Sequence, residues 1–351
     1  MKAELSVQQV MWIRVGALGD LLVSLEALKI TCDRFPNAQV WIVGSALWLD
    51  LIEPTMWPRV NGIIVSEDGK WGQMFEYSPI EREWVLVGEK RKLSLFAKSC
   101  QASVNLRIES FRFSWFVWPW VPIRIGSCPW VMKWLYTHWL PWLGKEPAIH
   151  ERDWYSLVAG AGREEKPLAL PYQLKMTGLP PLKMISETKL RSLWKLEKGK
   201  YVLVNPTASR REKAWPSEKF RKLCGKLESE KLEVIVIGAP KETEWLKEVA
   251  GENVRLIQPK SLMDLADVVG GARFLVTNTS SLQFVAASMK TPVITLMGLA
   301  APLRWGPVGS KDKTVCAKED FSSMKDLFER DRAAYASIPF ELVWSAVKTF
   351  L

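Results

Sequence analysis

The sequence predicts an α/β protein of two doubly wound, Rossmann-like domains. Three observations carry the prediction. The chain opens with a short apolar strand, a glycine turn and a helix of apolar period, followed at once by a second buried strand. The same alternation resumes near residue 199 and repeats to the end of the chain. Between the two runs, "KPLALPYQLKMTGLPPLKM" breaks every regular period with proline, glycine and lysine. A length of 351 residues also exceeds what one compact core usually holds.

The elements follow in order. "VMWIRVG" is a β-rich run ending in glycine. "DLLVSLEALKITCDRF" places Leu21, Leu25 and Leu28 on one helical face, and "AQVWIVGS" is a strand of the buried kind. That order implies a parallel sheet with a right-handed crossover. "GIIVSED", "WVLVGEK" and "ASVNLRI" read as further strands. Residues 1–165 therefore form the first domain, and 166–198 a basic connection. In the second domain, 199–333, strands "KYVLVNPT", "LEVIVIGAP", "VRLIQ", "RFLVTNTS" and "PVITLMG" alternate with four helices. These are "PSEKFRKLCGKLES" starting at Pro216 or Ser217, "KETEWLKEVAG" ended by Gly251, "SLMDLADVVGGA" capped by Ser261, and "SLQFVAASMK". Residues 334–351 are expected to close the chain as a helix packing back on the first domain. Ligands of such sheets bind beyond the carboxyl ends of the strands, so "NPTASRREK", "GAPKE", "NTSSLQ" and "GLAAPLRWG" are the loops to search.

Composition narrows the classes. An apolar fraction of 48% and a charged fraction of 25% are those of a globular chain, not a disordered one. The net charge is +10. Residues 1–165 balance at 18 basic and 18 acidic, so the excess lies beyond them, with eight basic and two acidic residues in 166–200. Such a bias suits an anionic partner or a solvated lysine-rich face. No nucleic-acid recognition motif accompanies it, so nucleic acid is not the expected partner. Five widely spaced cysteines form no Cys-x-x-Cys pair, which argues against a disulfide framework and a zinc site and for a reducing compartment. Only His138 and His150 are available for histidine chemistry, so a multi-histidine metal site is excluded. The N-terminus lacks the apolar core of a signal peptide, and no run reaches the ~18–20 apolar residues of a transmembrane helix.

The chain holds 19 Trp, eight of them (115, 118, 120, 130, 134, 139, 142 and 154) in one region interrupted by prolines 119, 122, 129 and 141. Two readings stand: internal packing, or an interfacial surface where indole sits half in water.

Asp20 stands where the first helix begins. It is either a helix cap or a carboxylate at the mouth of a site.

Several motifs in order resemble glycosyltransferase family nine, the ADP-heptose–lipopolysaccharide heptosyltransferases: "IRVGALGDLLVSLEALK", "RIG" at Arg124–Gly126, "NPTASRREKAWPSEKF", "VIGAPKE", "SLMDLADVVGGARFLVTNTSSLQFVAAS" and "TPVITLMGLAAPLRWGP". The resemblance covers nearly the whole chain. It implies the GT-B architecture, two Rossmann-like domains facing a cleft, with residues 1–165 on the acceptor side and 199–333 binding the nucleotide sugar. It implies an inverting, metal-independent transfer of heptose from ADP-heptose to a lipid-linked lipopolysaccharide core acceptor, with no cofactor. The expected location is cytoplasmic, peripheral on an anionic membrane surface. The alternatives are a same-fold transferase using another nucleotide sugar, or a non-catalytic sugar-nucleotide or glycolipid binder.

Residue by residue, the family's glycine-aspartate turn falls on Gly19 and Asp20, with Asp20 as the general base. Its lysine before Trp-Pro falls on Lys213, which meets the donor diphosphate; a surface lysine is the rival reading. Thr207 and Ser209 supply hydroxyls in the same loop, and Arg124 lies on the acceptor side. Glu242 aligns with an acid at the nucleoside, or is a solvated first-turn acid. The family's usual Asp-Thr-Gly is here Asn278, Thr279 and Ser280. Its common histidine is Gln283, Gly298 is kept, and Ala301 replaces an acid. These departures weigh on the identity of the donor sugar more than on the fold.

Overall fold

A computed structural model describes residues 6–66, 70–106, 113–115, 118–141, 149–161, 194–300, 302–309 and 311–351. The chain divides into two compact units, Met1–Lys175 and Met176–Leu351. Most of the expected connection, Trp142 and Ala301 lie outside the described residues.

The first unit is built on eight strands: β1 (Gln9–Arg14), β2 (Gln39–Gly44), β3 (Val60–Val65), β4 (Trp71–Ser78), β5 (Glu83–Lys92), β6 (Ala102–Asn105), β7 (Ile123–Cys128) and β8 (His138–Pro141). Their order across the sheet is β5-β4-β3-β2-β1-β6-β7-β8. β1 lies between β2 and β6, parallel to both. This is the point where the chain switches direction across the sheet, and where ligands of such folds bind. Met11, Ile13, Trp41, Val43 and Ile64 pack into its core.

Two local features differ from the sequence reading. "WGQMFEYS" is a strand, β4, and it pairs antiparallel with both β3 and β5. The connection from β4 to β5 is far too short for the crossover a parallel pair needs. The single helix expected after Asp20 is two pieces, α1 (Leu18–Leu22) and α2 (Leu25–Arg34). The break has a cause: the buried Ser24 hydroxyl donates to the Leu21 carbonyl at 2.7 Å, offering the backbone a local alternative to the helical ladder. Leu21, Leu25 and Leu28 are all buried, as their spacing implied. Helices α3 (Leu47–Leu51), α4 (Leu93–Ala97) and α5 (Glu151–Ala159) complete the described part of this unit.

The second unit is a six-stranded, wholly parallel sheet. Its strands are β9 (Tyr201–Asn205), β10 (Glu233–Ile237), β11 (Arg255–Ile257), β12 (Leu275–Asn278), β13 (Val293–Met297) and β14 (Lys313–Cys316), in the order β11-β10-β9-β12-β13-β14. β9, β12 and β13 are buried at every position, which explains their near-continuous apolar sequences. The helices are α6 (Ser217–Ser229), α7 (Thr243–Ala250), α8 (Leu262–Gly271), α9 (Ser281–Ser288), α10 (Pro302–Trp305), α11 (Leu327–Ser337) and α12 (Phe340–Lys348). Ser261 caps α8 as its sequence suggested. Its hydroxyl accepts from Asp264 N–H at 3.1 Å, and the Asp264 carboxylate accepts from Ser261 N–H at 3.2 Å. Gly251 ends α7 at φ 62°, a conformation glycine reaches without a Cβ penalty.

The closing segment packs into the core of the second unit. Ile338, Phe340, Val343, Trp344 and Val347 are buried in the core of the second unit with Val202, Trp215 and Ile294. Trp215 donates its indole N–H to the Ile338 carbonyl at 3.0 Å and stacks on Phe340 at 6.1 Å. The apolar face of α12 therefore has its partner within its own unit.

Candidate active site

In the first unit, β1 delivers a charged side chain to its carboxyl end. Arg14 is 1% exposed, and its guanidinium reaches the Asp20 carboxylate at 3.1 Å. The same group donates to the Tyr155 hydroxyl of α5 at 2.9 Å and lies over that ring at 4.9 Å; it also donates to the Val15 carbonyl. Trp48 of α3 donates its indole N–H to the Arg14 carbonyl at 2.9 Å. Asp20 sits in the first turn of α1, and its second oxygen accepts from Ala17 N–H at 3.2 Å. Its side chain keeps 22% of its surface open. Asp20 thus meets the helix start and stays partly open in one geometry. It closes the helix start from the third position of α1, and it presents a carboxylate at the edge of the sheet. A Cβ at Gly16 would lie 2.9 Å from Asp20, so glycine is required for this approach.

Gly19 lies within α1, beside Asp20. Arg124 is not brought to this edge. It is the second residue of β7, in register with Ser103, which is itself in register with Met11 near the start of β1. Its guanidinium donates to the Leu135 carbonyl at 2.8 Å and the Val121 carbonyl at 2.7 Å, and burial lowers its pKa. The glycine of the same motif, Gly126, is explained by packing: a Cβ there would meet the Tyr136 ring at 2.1 Å.

In the second unit, the ends of β9 and β12 carry a network of amides and hydroxyls that reaches one carboxylate, Glu242. Asn205 Nδ2 donates to Thr207 Oγ1 at 3.0 Å and to the Ile237 carbonyl at 2.8 Å. Thr277 donates to Asn205 Oδ1 at 2.9 Å and stands 2.9 Å from the Ser280 hydroxyl. Thr207 donates to Glu242 Oε2 at 3.1 Å, and that oxygen also accepts from Ala239 N–H at 2.8 Å. Asn278 is fully buried. Its Oδ1 accepts from Trp215 N–H at 2.9 Å, and its Nδ2 donates to the Pro206 carbonyl at 2.7 Å. Thr279 accepts from the Tyr335 hydroxyl at 3.2 Å and donates to the Leu296 carbonyl at 3.1 Å. Gln283 is buried and donates to the Trp305 carbonyl at 2.8 Å. Gly298 carries the Tyr335 ring so closely that a Cβ would come within 2.6 Å of it.

Thr207, Glu242, Asn278 and Ser280 are thus joined to one network, with Thr279, Gln283 and Gly298 on the adjoining turns. Ser209 and Lys213 are exposed on the loop that leaves β9. That loop is anchored on both flanks of Lys213. Arg210 pairs with Asp331, Arg211 pairs with Glu248 at 2.7 Å, and Glu212 stands 3.6 Å from Arg332. The Trp-Pro that follows explains the motif, because Trp215 is buried and pins the end of the loop to the core. Among the described residues, Lys213 makes no ion pair, which leaves its ammonium to an incoming anion.

Sequence reasoning missed Arg14, Tyr155, Asn205 and Thr277. Arg14 did carry a signal, a lone cation inside an apolar strand. Tyr155 carried none, because its role depends on where α5 packs.

Neither histidine is placed for catalysis. His138 is buried against the Thr137 hydroxyl at 2.9 Å, and His150 caps α5 by accepting from Arg152 N–H at 3.1 Å. All five cysteines are free thiols, and burial pushes Cys100 and Cys224 up to about 12 and Cys128 up to about 11. They remain protonated and weak as nucleophiles. Among the described residues, no group of three or more His, Cys, Asp or Glu is arranged to hold a metal. Likewise, no helix among them is long and apolar enough to cross a membrane.

Two successive Rossmann-like units, each with its polar site at the switch point of its sheet, define the GT-B class of α/β fold. Residues 172–334 match glycosyltransferase family 9 (heptosyltransferase). The chain is 32% identical over 121 residues to lipopolysaccharide heptosyltransferase 1 of Escherichia coli (strain K12). That match spans 34% of this chain and only 38% of the relative's length. Likeness of fold extends further. The crystal structure of a family 9 glycosyltransferase from Veillonella parvula superposes with a TM-score of 0.72 at 18% identity, over 99% of this chain and 98% of that one. The E. coli heptosyltransferase WaaC with ADP-2-deoxy-2-fluoro heptose gives 0.61 at 16% identity, over 98% and 100%.

Proposed function

We propose that the protein is an inverting glycosyltransferase that moves a heptose from ADP-heptose to a lipid-linked lipopolysaccharide core acceptor. The observation that carries the reading is the mount of Asp20: a partly open carboxylate held at the carboxyl edge of β1 by a buried guanidinium. The match of residues 172–334 to the glycosyltransferase family 9 (heptosyltransferase) model supports the donor class.

In this reading the acceptor hydroxyl oxygen attacks the anomeric carbon while the bond to ADP breaks. The hydroxyl proton passes to Asp20, and the configuration at the anomeric carbon inverts. ADP gathers negative charge as it leaves. The Lys213 ammonium, with Thr207, Ser209 and the turn at Asn278, Thr279 and Ser280, forms the donor side that meets this charge. Glu242, Gln283 and Gly298 shape the same side. Gly19 gives the β1 turn room for the acceptor, whereas Arg124 contributes by clamping β7. No metal is required, because the cation that balances the leaving group is Lys213. Chelator treatment should therefore leave turnover intact.

A second donor is favoured by one observation. Asn278 and Gln283, which replace the family's acid and histidine, are both buried and engaged with backbone carbonyls. They change the polarity around the donor sugar without opening the site. A melting screen against ADP-, UDP- and GDP-sugars decides, since a ligand that binds the folded state raises the midpoint by mass action. ADP-heptose should give the largest rise. A larger rise with a UDP- or GDP-sugar would replace the donor and keep the transferase.

A further inference from the structure

Five indoles of the first unit stand at the surface instead of in its core. Trp115, Trp118, Trp120, Trp130 and Trp134 are between 39% and 66% exposed. They are contiguous. Trp134 packs edge-on against Trp115 at 5.7 Å and Trp118 at 5.2 Å. Trp130 lies on the same short turn as Trp134, Trp130–Leu135, and Trp120 on the same turn as Trp118. At the size of an aromatic side chain, this leaves on the order of 500 Å² of indole in water, near the upper end for a patch on a monomer. The more buried Trp48, Trp139 and Trp215 give their indole N–H groups to backbone carbonyls. Among the described residues, the five exposed ones have no protein acceptor.

Two lysines lie against the patch. The Lys98 ammonium sits 4.3 Å from the Trp120 ring and that of Lys133 sits 4.8 Å from the Trp130 ring. In the sequence, residues 93–145 hold six basic residues (Lys98, Arg107, Arg112, Arg124, Lys133, Lys145) against one acid, Glu109, within a 1–165 segment that balances only as a whole.

We infer that this face docks the protein onto the surface of an anionic lipid bilayer. Indole prefers the bilayer interface, where the ring meets hydrocarbon and the N–H meets headgroup oxygens. The lysines add attraction to anionic headgroups. A second copy of the chain fits worse, because two such faces would oppose like charges. The attachment lies on the bilayer, since the described helices include none able to span it. This inference stands apart from the transferase reading, because vesicle binding is measured without donor or acceptor.

The test is sedimentation of the full chain with vesicles of mixed phosphatidylglycerol and phosphatidylcholine, and with phosphatidylcholine alone, at about 50 mM and about 500 mM salt. The wild type should bind the anionic vesicles, lose about ten-fold or more in partition at high salt, and retain a measurable remainder. Trp120→Ser with Trp130→Ser should weaken binding at both salts. Lys98→Gln with Lys133→Gln should weaken it only at low salt, by about five-fold per lysine. Should either double variant fail to fold, brominated lipid in the anionic vesicles should still quench wild-type tryptophan emission. The inference is overturned by absence of binding at low salt, by absence of quenching, or by unchanged binding of the folded tryptophan variant. It is also overturned if the protein alone is a dimer that the tryptophan variant converts to monomer, for the face then belongs to a second copy.

Discussion

β1 of the first unit ends in a charged pair, Arg14 with Asp20, whereas β9 and β12 of the second end in a network of amides and hydroxyls. Both sites occupy the switch point of their sheets, so the difference is chemical and not topological. The first edge holds a partly open carboxylate fixed by a buried cation. The second holds amides and hydroxyls, joined to the Glu242 carboxylate, at the base of a loop that carries the exposed cation Lys213. The contrast suits a reaction with a base at one reactant and a charge-stabilising surface at the other.

The largest effect expected is at the charged edge. Asp20→Asn should lower turnover by about 10²–10⁴, the usual worth of a general base. It also removes the charge partner of buried Arg14, so stability should fall by about 1–3 kcal/mol. Turnover is therefore compared well below the melting point. Intact turnover would reduce Asp20 to a helix-closing residue. Next comes the exposed cation. Lys213→Ala should slow transfer by about 10²-fold, with a smaller loss in ADP affinity, because the charge it meets grows as ADP leaves. Calorimetry and initial rates separate the two. Equal losses would mean that Lys213 binds ADP without favouring its departure.

The amide and hydroxyl network is sharpened by Asn278→Asp. A carboxylate there would keep the acceptor for Trp215 N–H but face the Pro206 carbonyl without a proton to donate. Stability should fall by about 3 kcal/mol or more, read by denaturant titration. A neutral outcome would show that the turn can re-form around an acid.

The smallest effect is pH-dependent. Arg211 hydrogen-bonds Glu248 and holds its carboxyl below the ordinary range. The increment is therefore present above the unfolded value near 4.5 and is lost as pH falls through the depressed one. Both side chains are largely open to solvent, so it amounts to about 0.5 kcal/mol or less and is screened by salt. Glu248→Gln should lower stability at neutral pH by that small amount and remove the corresponding fall on the acid side.

Much of this fold was legible in the chain. Buried parallel strands such as β9 and β13 are apolar throughout, and the Ser261 cap and Gly251 stop are local devices that sequence shows directly. The antiparallel β4 was missed because "WGQMFEYS" mixes polar and apolar residues without a clean alternation. The packing of α12 within its own unit was not legible, because an amphipathic helix reveals that it needs a partner but not which one. Asp20 was singled out from its turn and Thr207 and Glu242 from the family resemblance, and the last two share a hydrogen bond. Asn205 and Thr277 were not singled out, since their roles arise only when β9 and β12 become neighbours. Arg124 was singled out from its motif, but register places it toward the other end of the strands from Asp20.

Acceptor-dependent release of ADP from ADP-heptose tests the central claim most directly. With lipopolysaccharide core acceptor present, the wild type should release ADP in step with formation of a glycosidic bond of inverted configuration, and Asp20→Asn should bind the donor yet release almost none. Binding of ADP-heptose by the wild type with no acceptor-dependent release would contradict the account and leave a binding protein of transferase fold.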